Sequence, residues 1–295
     1  MSTLIVGCGA LGRRVGRLLV GRGETVFGVV RSPARGEELV ALGIVPVIAD
    51  VLDTHSLAGL PAAGRVLYCV GFDRSAGVSM RTVYVEGLRN VLDRLADRVG
   101  RWVYASSTSV HGQEDGGWID EDSPAEPKHE SGRVCLDAED LIRERGGDVV
   151  VLRFAGLYGP GRIVRKASVE RGEVLVGDPS KYLNLIHLDD AAGASVAAFD
   201  RSEGGRTYLA CDDRPVERRE YYDLVARCLG SPPPRFVFPA PEGTEVRREE
   251  TNKRVSNRRL RSELGVPLAY PDITTGVPAS LLAEKGVADV KQVES

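Results

Sequence analysis

The apolar positions of this chain fall into short runs separated by polar, glycine-rich joints, and the first dozen residues set the pattern. Thr3-Leu4-Ile5-Val6 is an apolar run of strand type. Gly7-Cys8-Gly9-Ala10-Leu11-Gly12 follows without a gap, and Leu11, Val15, Leu18 and Leu19 then recur at helical spacing. A buried strand, a glycine turn and a helix are predicted. The alternation repeats downstream. Strands are expected at 25–30, 44–49, 65–70, 102–105 and 149–154, and Val85, Leu88, Val91, Leu92 and Leu95 mark one face of a long helix. Such alternation predicts an α/β fold, a doubly wound parallel sheet with helices on both faces and a ligand crevice at the carboxyl ends of its strands.

After Gly159-Pro160-Gly161 the pattern changes. Residues 162–183 are basic and irregular, and 184–188 read as a strand. Asp189-Asp190 precede an alanine-rich helix over 191–199, and one of them is expected as its N-cap. Tyr221, Leu224, Val225, Cys228 and Leu229 form an amphipathic stripe that Ser231-Pro232-Pro233-Pro234 breaks. Residues 246–261 are densely charged, without a sustained apolar face until Leu260 and Leu264, and the last ten residues read as a loose polar tail.

Composition narrows the classes. A chain of 295 residues, 42% hydrophobic and 27% charged, has the balance of a soluble globular protein with room for a main domain and a smaller one. A net charge of −3 gives no reason to expect nucleic acid or an anionic membrane as partner, and no apolar run approaches a membrane span. The N-terminus lacks the basic flank of a signal peptide. Five scattered cysteines with no C-x-x-C pair argue against a metal site or a disulfide framework and for reduced thiols in the cytoplasm; Cys8 reads as a small filler.

The glycine turn carries the first candidate chemistry. Gly7 permits a tight turn, Gly9 lets the backbone approach a pyrophosphate, and Gly12 lets the helix sit close to the strand. Ala10 and Leu11 bring the unpaired amides of the helix N-terminus. The alternative is a turn that only packs a helix on a sheet. Arg31, after the second strand, can pair with the 2′-phosphate of NADP, supported by Ser32 and Arg35, where an acid would select NAD; the other reading is a solvated loop arginine. Asp50 can accept from an adenine amino group or start the next turn. Val51, Val70 and Gly71 are expected along the same crevice.

Three later segments bear a resemblance. Ser106-Ser107-Thr108-Ser109-Val110-His111-Gly112 resembles an S-S-x-x-V-Y-G motif. Arg153-Phe154-Ala155-Gly156-Leu157-Tyr158-Gly159-Pro160 resembles R-x-x-x-x-Y-G-P, and Ile186-His187-Leu188-Asp189-Asp190 resembles I-H-V-D-D. In this order they are similar to the extended short-chain dehydrogenase/reductases, the NAD(P)-dependent epimerase/dehydratase family. The resemblance implies a Rossmann domain over 1–160 and a smaller α/β substrate lobe over 161–285, interleaved with the end of the first domain, before the tail at 286–295. It also implies an NAD(P)-dependent oxidoreductase acting on a small carbonyl, alcohol or sugar-like substrate, and Arg31 makes NADP the expected cofactor in preference to NAD. The protein would be a monomer or homodimer. Phe154, Ala155, Gly156 and Tyr158 are expected near the nicotinamide, and Ser107 as the substrate-orienting hydroxyl or as a cap on the strand end.

Two departures stand out. Most members carry G-x-x-G-x-x-G, and this chain has the shorter G-x-G-x-x-G. Members also carry Tyr-x-x-x-Lys on a helix, where the lysine holds the nicotinamide ribose and lowers the tyrosine's pKa. With Glu139 as register, Ser131 stands in place of the tyrosine and Cys135 in place of the lysine. None of the nine tyrosines has a lysine four residues on; Tyr158 has Arg162, but Gly159-Pro160-Gly161 between them precludes a helix. His111 and His129 are alternative proton donors, each also readable as a structural residue, and His187 reads as structural. Arg162, Arg165, Lys166 and Arg171 read as a solvated face or as a contact for an anionic substrate. The rival to an enzyme with non-standard catalytic residues is a non-catalytic NADP-binding sensor or scaffold. Nucleotide-sugar epimerase or dehydratase chemistry ranks lower, since the loop after Gly161 is short.

Overall fold

β1 (Ser2–Val6) is apolar at successive positions because both of its faces are covered: Leu4, Ile5 and Val6 are fully buried in the computed structural model. The structure describes residues 1–95, 98–239 and 251–293, with side chains described as far as Lys285. Part of the charged stretch expected at 246–261 and the last two residues lie outside the described residues.

The first half alternates strand and helix. α1 (Ala10–Val20), β2 (Thr25–Val30), α2 (Pro33–Val40) and β3 (Val45–Ile48) come first. β4 (Arg65–Tyr68), α3 (Gly87–Leu95), β5 (Arg101–Ser107), the short β6 (Trp118–Ile119), α4 (Glu130–Glu144) and β7 (Val149–Phe154) follow. In the second half are β8 (Gly156–Tyr158), α5 (Lys166–Glu170), β9 (Leu175–Val176), β10 (Tyr182–Leu183), β11 (Leu185–His187), α6 (Leu188–Arg201) and β12 (Thr207–Ala210). The chain ends with β13 (Val216–Glu217), α7 (Arg218–Leu229), β14 (Phe236–Val237), β15 (Arg254–Val255), α8 (Arg258–Leu264) and α9 (Ile273–Val293).

Seven strands form one parallel sheet in the order β12-β7-β5-β4-β1-β2-β3. Chain order reverses between β1 and β4, so the crevice of a doubly wound sheet opens there. Alternation along β1 sorts the core into two layers. Ile5 faces Val15 and Leu19 of α1 and the alanines of α6, whereas Leu4 and Val6 face Leu88, Val91 and Leu92 of α3 and Ala138 and Ile142 of α4. Each fully buried large aliphatic in these layers contributes about 1.5–3 kcal/mol. The small residues of α6 let it lie close against α1.

Later parts of the chain return to this sheet. β12 completes it by pairing with β7, α8 adds Leu260 and Leu264 to the α1–α6 layer, and β15 pairs with β6. A separate core of Tyr158, Tyr221, Tyr222, Ile273, Val277 and Leu281 holds α5, α7 and α9 together. Three sequence expectations change. α6 starts at Leu188, so its N-cap is His187, whose Nδ1 accepts from the Asp189 amide at 3.2 Å; Asp189 and Asp190 lie in the first turn, where their charge suits the helix dipole. The helix expected from Val85 begins with one π-type turn, Thr82–Glu86. α9 runs to Val293, well into the segment expected to be loose.

Candidate cofactor and substrate site

The glycine loop sits at the reversal point and is fixed by backbone contacts. Gly7 has φ +85°, and a Cβ there would lie 2.6 Å from Val70 Cα and 2.7 Å from Val70 N. A Cβ on Gly12 would lie 2.8 Å from Ile5 Cγ2 and 3.2 Å from the Gly7 carbonyl. Gly9 differs, because nothing but the Gly7 carbonyl, 3.9 Å away, comes near its Cβ position. Gly7 and Gly12 are small because protein occupies the space. Gly9 is small beside open space, at the N-cap of α1, where the leading amides, including those of Ala10 and Leu11, have no partner within the helix. A pyrophosphate fits such a cradle. Cys8 is buried, and burial pushes its thiol up to about 12, in keeping with a filler.

Arg31 follows β2 and extends into solvent, its side chain 62% exposed, with Nη2 3.5 Å from Asp73 Oδ2. Asp73 is anchored by the amide and hydroxyl of Ser75, which with Arg31 hold its carboxyl below the usual range. Ser32 is the N-cap of α2, with Pro33 next. Asp50 Oδ1 accepts from the Leu52 amide at 2.9 Å, so this acid does start a turn. Val51 is buried beneath α3, with its carbonyl held by Asn90 Nδ2.

On the other side of the crevice β5 delivers Ser106 and Ser107. Ser107 is half-buried, and its Oγ accepts from the Ser109 amide at 3.1 Å. That bond caps the following turn and leaves the hydroxyl proton free to donate. α4 contains neither tyrosine nor lysine. Ser131 is exposed near its start. One turn on, Cys135 is buried, 3.9 Å from Ser109 Oγ, and burial pushes its thiol up to about 11. A further turn on, Glu139 is fully buried. It accepts from Ser106 Oγ at 2.5 Å, from Arg153 at 2.8 Å and from Arg143 at 2.9 Å.

Arg153 also donates to His111 Nε2 at 3.1 Å, while His111 Nδ1 meets the Pro124 carbonyl at 3.2 Å. Arginine has no acceptor and a carbonyl no proton, so His111 is neutral and protonated on Nδ1. Its burial and the Arg153 charge bring its pKa down to about 4. His111 is therefore a buried support rather than a proton donor. His129 is the N-cap residue of α4, its carbonyl accepting from Gly132 and Arg133. His187 is buried between Ser280 and the Asp189 amide, a structural role.

Tyr158 has no exposed surface and packs in the lobe core, edge-on to His187, so it does not line the nicotinamide side. Phe154 lies in the α1–α6 layer, and Gly156 is exposed beside Leu185 and Asn184. Much of the basic stretch is engaged: Lys166 pairs with Glu284, Arg171 with Glu173, and Arg162 donates to the Leu157 carbonyl. Sequence reasoning missed the Glu139–Arg153–His111 chain; its signal is an arginine within an otherwise apolar six-residue strand. It also missed Lys253, a buried ammonium donating to the His111 carbonyl at 2.6 Å, which burial brings down to about 8.

Reversed strand order, a glycine cradle at the reversal and a serine at the end of the neighbouring strand define a dinucleotide-binding protein of the extended short-chain dehydrogenase/reductase type. A family model described as NAD(P)H-binding matches residues 7–198, and the chain belongs to that family. It is 31% identical to Protein YeeZ of Escherichia coli K12 over 91% of this chain and 96% of that one. A solved Methylobacillus flagellatus structure, provisionally described as an NAD-dependent epimerase/dehydratase, is 31% identical with a TM-score of 0.73, covering 96% and 98% of the two chains. A 3-diazoavenalumate denitrifying reductase from a Streptomyces species is 26% identical over 94% of this chain and 99% of that protein.

Among the described residues no group of three or more His, Cys, Asp or Glu is placed to hold a metal, and no helix is long and apolar enough to cross a membrane. The five cysteines are all free thiols.

Proposed function

We propose that this protein is an NADP-dependent oxidoreductase acting on a small carbonyl or alcohol, with a proton route that does not use Tyr-x-x-x-Lys. The observation that carries the reading is the contrast within the glycine loop: Gly7 and Gly12 are packed against protein, while Gly9 faces open space at the α1 N-terminus. Ala10 and Leu11 hold the pyrophosphate through backbone amides, Gly9 leaves room for it, and Gly7 and Gly12 set the turn and the close packing that shape the cradle. Arg31 and Ser32 take the 2′-phosphate, and Asp50, Val51, Val70 and Gly71 line the adenosine side. Phe154 backs the nicotinamide pocket from the core, with Gly156 at its rim.

When bound, the nicotinamide supplies or accepts the hydride. The chain's own part is to orient and to exclude water. Ser107 donates its hydroxyl proton to the substrate oxygen, since the bond from the Ser109 amide engages one of its two lone pairs and leaves the proton unused. Ser106, held by Glu139, fixes the end of the strand that presents Ser107. Without an activated phenol on α4, general acid–base assistance worth about a hundred- to ten-thousand-fold is absent from its usual place, so slow turnover is expected. The same substitution favours a second reading, a non-catalytic NADP-binding sensor or scaffold, because the short Cys135 thiol is protonated at neutral pH and offers no cation.

Calorimetry with NADPH and NADH, followed by a carbonyl panel monitored at 340 nm, tests both readings. NADPH binding with turnover that Ser107→Ala abolishes supports the enzyme. Tight NADPH binding without oxidation by any carbonyl supports the sensor, and binding of neither nucleotide ends both.

A further inference from the structure

A lysine in a charged stretch is ordinarily solvated, and a lysine taken out of water is ordinarily paired with an acid. Lys253 is neither. It is 6% exposed, and among the described residues its ammonium meets no carboxylate. Its partner is the His111 carbonyl, 2.6 Å from Nζ. An ammonium carries three donors, so two find no protein acceptor among the described residues. Burial alone acts on its pKa, which stands at about 8, so the charge persists at neutral pH.

The place of this charge is fixed from two sides. Asn184 grips the backbone around it: Nδ2 donates to the Lys253 carbonyl at 2.9 Å, and Oδ1 accepts from the Val255 amide at 2.7 Å. The Asn184 carbonyl in turn accepts from the Gly156 amide at 2.9 Å, two residues beyond the end of β7. On the other side, His111 ends the single turn Thr108–Val110, which Ser107 caps at the end of β5. Ser107 and Phe154 are register partners at the carboxyl ends of these two neighbouring strands. Lys253 therefore joins the two chain segments that leave the sheet on the side where Ser107 meets the substrate.

We infer that Lys253 anchors the substrate by a carboxylate, so that the protein takes oxo or hydroxy acids in preference to neutral carbonyls and alcohols. This rests on the cofactor reading above and deepens it by naming the substrate class. The cofactor does not bring the anion here: its phosphates belong at the start of α1 and at Arg31, and an oxidised nicotinamide is itself cationic. A single ammonium balances one negative charge, which suits a carboxylate better than a phosphate dianion, and two unused donors suit its two oxygens. Holding a buried cation without a counter-charge is costly, and an arriving carboxylate removes that cost.

The test uses wild type, Lys253→Met and Lys253→Gln. Each is titrated calorimetrically with NADPH and melted without ligand. Each is then saturated with NADP+, which cannot reduce a carbonyl, and titrated at pH 7 with pyruvate, acetoacetate, levulinate and benzoylformate, every acid beside its methyl ester. In wild type at least one acid should bind about ten- to a hundredfold more tightly than its ester. Both variants should lose that advantage, with ester affinity, NADPH Kd and melting temperature unchanged. Glutamine keeps an N–H for the His111 carbonyl, so its loss of the acid reports the missing charge rather than that contact. A wild type in which no acid outbinds its ester, a variant that keeps the advantage, or equal weakening of acid, ester and NADPH overturns the assignment, and NADPH uptake by wild type then leaves the cofactor reading standing. Wild-type protein that does not take up NADPH overturns both. If neither variant folds, the comparison of acid with ester in wild type decides alone.

Discussion

Three glycines in one loop do different work, and substitution should separate them. At Gly7 a side chain meets both a positive φ and the Val70 backbone, neither of which can yield. Gly7→Ala is expected to cost about 1–3 kcal/mol of stability and to abolish nucleotide binding, seen as a lower melting temperature and a flat calorimetric titration. At Gly9 the φ is −88° and the space ahead is open. Gly9→Ala should melt like wild type and bind NADPH more weakly, because its methyl enters the phosphate cradle; equal melting loss in both variants would contradict this division. Arg31 carries a competing contact. Asp73→Asn removes the carboxylate that holds its guanidinium, so NADPH binding should tighten by about two- to fivefold, within the range of an exposed ion pair. Arg31→Ala should weaken NADPH and leave NADH unchanged, as parallel titrations would show.

α4 and β7 are tied by a buried charged set rather than by apolar packing alone. Burial pushes the Glu139 carboxyl up, but Arg153, Ser106 and Arg143 outweigh it, and its pKa falls below the usual carboxylate range. Glu139→Gln leaves Arg153 buried without its counter-charge and is expected to cost about 3–5 kcal/mol in chemical denaturation. His111 sets the acid sensitivity. Its folded pKa, about 4, is below the ordinary 6.5, so the folded state binds fewer protons between these values. The stability this contributes is full above pH 6.5 and is lost as pH falls toward 4, by about 3 kcal/mol. Melting temperatures across that window should fall, and His111→Gln should flatten the fall. The strand of this pair was readable in full, because Val149–Phe154 is a nearly uninterrupted apolar run. The glycine loop was equally readable, since its residues are adjacent in sequence. The charged set was not: Arg153, His111 and Glu139 are far apart in the chain, and the motif comparison that placed each one says nothing of their contact. The π-type turn was hidden because the apolar positions around it keep an ordinary helical rhythm. Lys253 was obscured by a charged neighbourhood in which an exposed lysine is the default.

At the scale of the molecule, the cofactor half is not a separable piece. β12 pairs with β7, α6 covers α1, and α8 closes the same layer, so the first 160 residues lack the partners of their own sheet. A fragment of residues 1–160 is expected to show strand and helix in the far ultraviolet without the near-ultraviolet signal of fixed packing, and a native-like near-ultraviolet spectrum would refute this. The same return of the chain has a consequence during synthesis. While the nascent polypeptide has not yet delivered Thr207–Ala210 from the ribosome, the outer side of Val149–Phe154 is an unpaired edge of a strand that is apolar at every position but Arg153. Translation must proceed a further fifty-odd residues past that edge, at about 5–20 residues per second, so for some seconds each copy exposes a template for joining its neighbours on a polysome. Slowing elongation between those two strands should therefore shift product from soluble protein into aggregates, with no change in sequence.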